Sequence, residues 1–100
     1  MTKLYVTEYP ASTIMAGMSG NIPIEPGTDQ VIDYSGGAAA SNAFKNNTQL
    51  VRIHNDSICS VAFGTAPTAT TSNRRMAANT TEYFTVPLGA SYKVSAITNT

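Results

Sequence analysis

The amino-acid sequence predicts an all-β fold, an antiparallel β-sandwich of seven or eight short strands with an irregular N-terminal arm. Three observations carry that prediction. Thr (14), Ser (9) and Asn (8) supply 31 of 100 residues, a composition that suits strands and turns and suits helices poorly. Alternating segments recur at roughly 8–12-residue spacing, separated by Gly, Pro, Asn and Asp. No stretch sustains a 3.6-residue period, which disfavours helical and α/β folds. A jelly-roll-like order and another Greek key fit this pattern equally.

Leu4 to Tyr9 alternates, with Leu4, Val6 and Glu8 on one face and Tyr5, Thr7 and Tyr9 on the other. Pro10 ends it. Ala11 to Gly20 holds Ile14, Met15 and Met18 but also Gly17 and Gly20, and reads as an irregular arm. Within Asn21 to Asp29, Pro23, Pro26 and Gly27 give an edge strand and then a turn. Gln30 to Tyr34 is a strand, Ser35 to Ser41 a flexible loop, and Phe44 an isolated anchor. Gln49 to His54 sets Val51 and Ile53 against Leu50, Arg52 and His54 on the opposite face. Asn55-Asp56-Ser57 is a turn. Ile58 to Phe63 follows, with Cys59, Val61 and Phe63 sharing a face. Gly64 to Pro67 ends that strand, and Thr68 to Arg74 is a polar loop. Arg75 to Ala77 is a short strand. Thr81 to Val86 places Phe84 and Val86 opposite Tyr83 and Thr85. After the Pro87 to Ala90 turn, Ser91 to Ile97 sets Tyr92, Val94 and Ala96 against Lys93, Ser95 and Ile97. The chain thus reads as one domain over 1–100: an arm and edge strand over 1–29 and a sandwich core over 30–100.

Charge narrows the function. Six basic residues balance six acidic ones, and only 12% of the chain is charged, against about a quarter in an average domain. A neutral chain has no electrostatic footprint for nucleic acid or an anionic membrane. No apolar run approaches the roughly 18 residues that span a bilayer, and Met1 to Glu8 lacks the apolar stretch of a secretion leader. A domain this short buries only about 60–65% of its unfolded surface. With one cysteine and one histidine it has no intramolecular disulfide and no four-ligand Cys/His zinc site. Assembly with other subunits is the remaining common source of stability. No metal and no cofactor is expected, and no Gly-rich phosphate loop or calcium loop is present.

Few groups carry chemistry. His54 and Cys59 flank a turn, and such a pair makes a nucleophile in some enzymes. Here Cys59 shares its face with Val61 and Phe63, so a core cysteine is the better reading. Asp29 and Asp33 share a strand face about 13 Å apart, too far for paired acid–base work, and read as solvent-facing or interface carboxylates. Arg74 and Arg75, the only adjacent basic pair, suit a carboxylate on a partner or simple exposure. Five tyrosines outnumber three phenylalanines and suit half-buried interfaces. An enzyme is therefore not expected. The expected partner interface comprises Leu4, Tyr5, Val6, Tyr9, Ile14, Met15, Met18, Arg74 and Arg75. Within it, Leu4 to Tyr9 is the segment best suited to extending a neighbour's open sheet edge.

One pattern goes further. Val51-Arg52-Ile53-His54, Asp56, Cys59-Ser60-Val61, Phe63-Gly64-Thr65, Pro67 and Ala69 are followed by Met76, Ala78, Glu82-Tyr83-Phe84, Val86-Pro87 and Gly89. Over residues 50–97 this resembles a family of small virion structural proteins of tailed bacteriophages. The resemblance covers about half the chain; Ala11 to Ser41 matches nothing in it. It implies a capsid decoration or cement protein, partnered by the major capsid protein and by itself as a dimer or trimer. Such a protein is assembled in the bacterial cytoplasm and resides in the phage head. A head–tail connector or tail component is the nearby variant. A carbohydrate or host-surface binding module, with the tyrosines and loops such as Thr65 to Asn73 as its site, is the alternative from another class. Glu82 and Arg52 are expected to pair across strands, worth a few tenths of a kcal/mol if exposed.

Overall fold

The computed structural model describes residues 2–10, 12–14, 21–23 and 27–99. The strands are β1 (Lys3–Tyr9), β2 (Ser12–Ile14), β3 (Asn21–Pro23), β4 (Thr28–Asp33) and β5 (Ala39–Ala40), followed by β6 (Leu50–Asn55), β7 (Cys59–Gly64), β8 (Arg74–Met76), β9 (Thr81–Thr85) and β10 (Lys93–Thr98). They form two antiparallel four-stranded sheets, ordered β4-β1-β6-β9 and β5-β10-β7-β8, and a two-stranded ribbon of β2 and β3. The fold is all-β, with no helix among the described residues. The β4–β5, β5–β6, β6–β7, β8–β9 and β9–β10 connections each pass from one sheet to the other, which makes the molecule a β-sandwich.

The alternation read from sequence sets the inner faces. Leu4, Val6, Ile32, Val51 and Ile53 come from the first sheet; Cys59, Val61, Met76, Val94 and Ala96 come from the second. Tyr34 and Phe44 join them in one buried cluster, with Phe63, Phe84, Val86 and Tyr92 packed on its rim. Each fully buried Val, Leu or Ile side chain contributes about 1.5–3 kcal/mol of transfer free energy. Phe44 is the anchor its isolation suggested: its N–H donates to the Tyr92 carbonyl at 2.8 Å.

Two polar side chains organise the sandwich from within. Glu8 follows the inward phase of Leu4 and Val6 and is 3% exposed. Its Oε1 accepts from the Lys45 N–H and the Thr48 hydroxyl, each at 2.8 Å, and its Oε2 from Gln30 Nε2 at 2.8 Å. Gln30 Oε1 accepts in turn from the Asn42 N–H at 2.9 Å, so one carboxylate fastens segment 42–48 along that side of the sandwich. Asn55 does the same between two arches. Its Nδ2 donates to the carbonyls of Ser57 and Ala77, both at 2.9 Å, and its Oδ1 accepts from the Thr80 N–H at 3.0 Å. A buried amide left without these partners costs far more than the bonds return when made.

The N-terminal reading needs correction. Within 1–29, residues 3–9 are not an arm: β1 lies inside its sheet, paired to β4 from Lys3↔Asp33 to Glu8↔Thr28 and to β6 from Leu4↔Asn55 to Tyr9↔Leu50. Both of its ladders are occupied, so it has no free edge to offer a neighbour. Its apolar face also has nowhere better to go than the sandwich interior. Ser12–Ile14, read as irregular, is strand β2, paired to β3 from Ser12↔Pro23 to Ile14↔Asn21. The ribbon continues the β1–β4 hairpin in sequence but pairs with neither sheet. Three residues separate the two paired blocks on one side and four on the other, a one-residue change of register of the kind a bulge produces. Gly27 sits at this step. A Cβ there would meet the Glu8 carbonyl oxygen and Thr7 Cγ2, both at 2.7 Å, so only glycine lets the two strands close up.

Candidate functional site

The sandwich has two outer faces, and the chain treats them differently. On the second sheet the outward phase carries Ser60 and Ser95 in its central strands. They are 0% and 1% exposed, because residues 65–73 fold back over them. The Ala69 N–H donates to Ser95 Oγ at 3.0 Å, and Ala69 is itself buried. Asn99 Nδ2 donates to Ser60 Oγ at 2.7 Å and to the Thr71 carbonyl at 3.2 Å. The Thr65 to Asn73 loop is thus docked on its own sheet at its centre, with Ala69 buried and most of its other residues exposed.

Among the described residues, no such loop covers the first sheet. Its registers lay the outward side chains in rows: Val31, Tyr5, His54 and Thr81 in one, Asp29, Thr7, Arg52 and Tyr83 in the next. Side chains directly opposite across strands share a face and stand close enough to touch. Val31 and Tyr83 are more than half exposed and Tyr5 is exposed beside them. Tyr5, Thr7, Asp29, Val31, Arg52 and His54 line a shallow depression of about 470 Å³, within the range of about 300–1,000 Å³ common for small-ligand sites.

Its polar groups are unequally committed. The Thr7 hydroxyl donates to Asp29 Oδ1 at 2.8 Å. His54 Nδ1 and Thr81 Oγ1 are 2.8 Å apart, which fixes the imidazole and leaves Nε2 directed away from that contact. Arg52 is half-buried, yet its guanidinium has no ion pair and no hydrogen bond among the described residues. The expected Arg52–Glu82 pair does not form, because the register places Arg52 opposite Tyr83 and Glu82 opposite Ile53, on the other face. Glu82 instead meets Arg74 at 3.5 Å.

The expected interface residues scatter. Leu4 and Val6 are buried in the core cluster, and Tyr9 is buried as well, with its ring beside Gly27. Of the expected interface residues on that strand, Tyr5 lines the depression on the open face. Ile14 lies in the β2–β3 ribbon, and Met15 and Met18 lie outside the described residues. Arg74 is spoken for: beyond Glu82, its guanidinium lies 5.0 Å from the centre of the Phe84 ring, which packs on Phe63 at 4.8 Å. It seals the seam between β8 and β9, a cation–π contact of about 0.5–1 kcal/mol. Arg75 is exposed, with no ion pair among the described residues.

The remaining titratable groups sit as the residue patterns suggested. Asp29 and Asp33 are solvent-facing. The Ser35 backbone N–H and hydroxyl, and then Lys3 at 3.7 Å, hold the Asp33 carboxyl below its usual range. His54 and Cys59 face opposite ways, Cys59 into the core, where burial pushes its thiol up. Tyr34, with its hydroxyl donating to the Ser57 carbonyl at 2.6 Å, is pushed up to about 12, chiefly by burial. The open face escaped the sequence reading, but its signal was present. Large side chains occupy the outward phase of β1, β6 and β9, whereas serines stand at the centre of the outward phase of β7 and β10, Ser60 and Ser95. Comparison with family models, curated proteins and solved structures finds no match, so the functional reading rests on this chain's own residues.

Proposed function

We propose that this chain is a structural component of a bacteriophage virion, a capsid decoration or cement protein that docks on the major capsid lattice. The observation that carries the reading is the β2–β3 ribbon, which continues the β1–β4 hairpin yet pairs with neither sheet. A two-stranded ribbon is marginal by itself in water, and its ladder edges suit pairing with a strand of a neighbouring subunit. The phage-like residue pattern supports the same role from the other half, β6 to β10. Its residues are largely the ones that build the arches: Asp56 and Cys59 at the first, Met76 and Ala78 at the second, Pro87 and Gly89 at the last. A small neutral sandwich of this kind adds stability by mass action: it binds the assembled shell and not the dissociated subunits, and so shifts the balance toward the particle.

The test is quantitative mass spectrometry of purified virions from the source phage. Copies in proportion to the major capsid subunit support decoration. A single ring's worth moves the chain to the head–tail junction, and absence from the particle removes the virion reading. The ribbon is tested separately. Removing residues 1–20 would take out β1 and unfold the sandwich, so the informative variant replaces residues 10–26 with a two-residue Asn-Gly turn that closes the β1–β4 hairpin. Capsid occupancy is expected to collapse while the sandwich stays folded. Full occupancy would show that the ribbon plays no part in docking.

A further inference from the structure

The open face of the first sheet is built like a ligand site, independently of any role for the ribbon. From its groups we infer that the depression over β4, β1 and β6 binds a carboxylate-bearing saccharide, with the acid on Arg52 and the sugar ring on Tyr5. Four observations converge. The depression is shallow and about 470 Å³ in volume, which suits a sugar ring lying on a sheet better than a deeply buried apolar ligand. Tyr5 presents an exposed ring on its floor, and an aromatic face packs against the C–H face of a sugar while its hydroxyl stays wet. Arg52 brings a half-buried guanidinium with no partner among the described residues, and a planar fork of donors matches a carboxylate in two parallel hydrogen bonds. His54 stands beside it on β6. Its Nδ1 lies 2.8 Å from Thr81 Oγ1, and in the tautomer in which Nδ1 accepts from that hydroxyl, Nε2 donates outward.

The counter-charge is placed to discriminate. Asp29 lies two strands from Arg52, about 9–10 Å away by strand spacing. Its Oδ1 is held by Thr7, which leaves Oδ2 to accept from a sugar hydroxyl. One end of the depression therefore takes the acid, and the other takes neutral hydroxyls. Nucleic acid fits poorly, since Lys3, the next cation along β1, is already paired with Asp33, and one guanidinium does not track a backbone. A face-to-face second copy would need about 800 Å² per partner for a stable interface.

The experiment is an amide-resolved NMR titration of the full chain with trigalacturonate, against maltotriose and sodium acetate as separate arms. Shifts confined to Tyr5, Thr7, Asp29, Val31, Arg52 and His54 are expected with trigalacturonate, saturating at millimolar concentration. Maltotriose and acetate are each expected to bind at least tenfold more weakly. Arg52→Gln is expected to abolish the preference for the acidic sugar, and Tyr5→Ala to weaken both sugars at least fivefold. Both side chains face solvent on a folded sheet, so the dispersion of the spectrum verifies that the variants stay folded. The proposal is overturned if no sugar shifts these residues, if maltotriose binds as well as trigalacturonate, or if acetate alone reproduces the effect. Broadening of the same residues with protein concentration alone would overturn it in favour of self-association.

Discussion

The two outer faces of the sandwich solve one problem in opposite ways. Each four-stranded sheet must do something with its outward side chains. The second sheet places Ser60 and Ser95 there and lays the chain's own 65–73 loop across them, so both serines disappear from solvent. The first sheet places Tyr5, Val31, Arg52, His54 and Tyr83 there and covers them with nothing from the described chain. Small hydroxyls suit the first arrangement, since they accept or donate one bond to a loop backbone without holding it away. Large rings and a guanidinium suit the second, because they project far enough to meet something else. In a domain of 100 residues there is little surface to spare, and leaving one face open costs burial that the covered face gains. That asymmetry is why the proposed ligand contact is placed on the first sheet's face.

Exchanging the two designs breaks the comparison most severely. Ser95→Tyr puts an open-face residue under the covering loop. Ala69, 2% exposed above it, leaves no room for a ring, so the loop must lift. Overpacking of this kind costs about 1–3 kcal/mol, and the upper end is expected because the Ala69 N–H also loses its acceptor. Urea unfolding reads the loss as a fall in midpoint, and limited proteolysis between residues 65 and 73 reads the lifted loop.

Alkaline pH strikes the core that both faces share. Burial raises the Tyr34 phenol from 10.0 to about 12 in the folded chain, so folding favours its neutral form. The sign follows: this contribution is complete below pH 10 and is lost as pH rises from 10 toward 12. Stability is expected to fall across that window, with a shallower fall in Tyr34→Phe, which has no phenol to ionise. An identical slope in the variant would place the alkaline loss elsewhere. The Cys59 thiol, raised by burial, is expected to react with disulfide reagents only at the rate of global unfolding.

Ser95→Ala is milder than Ser95→Tyr. It keeps the space and removes only the acceptor for the Ala69 N–H, about 1 kcal/mol. The loop is expected to stay docked but exchange its amide protons faster.

Legibility from sequence followed the reach of each interaction. Alternation is local, so the inner faces were readable: Leu4 and Val6, Val51 and Ile53, Cys59 and Val61, Val94 and Ala96 all point inward. Even Glu8 was placed in the inward phase, and an acid in that phase announces a set of buried donors. Which donors they are was not readable, because Lys45 and Thr48 arrive from 37 and 40 residues away. Strand order was hidden for the same reason. β1 finds β4 and β6 on either side through pairings that no residue of β1 encodes alone, so its alternation shows a strand but not its central place in the sheet. The Arg52–Glu82 expectation failed through register. A shift of one residue moves a side chain to the opposite face, and Glu82 falls opposite Ile53. The open face was half legible. Tyr5, Arg52, His54 and Tyr83 were each in outward phase, but their gathering into two rows required the registers.

The smallest stability effect is expected where the comparison predicts the largest functional one. Tyr5→Ser and Tyr83→Ser give the open face the small polar residues of the covered one. Tyr83 is 53% exposed and Tyr5 is 37% exposed, and neither hydroxyl has a partner among the described residues. Surface changes away from caps, cores and networks stay within about 0.5 kcal/mol, so both variants are expected to unfold at nearly the parent midpoint. An open face that contributed to the fold would instead show a loss closer to that of a core truncation, about 2–5 kcal/mol. The two outcomes are far enough apart for a single denaturation curve to separate them. If the parent midpoint is kept, Tyr5 and Tyr83 owe their place to something outside the domain, since strand propensity alone would be met as well by Thr or Val.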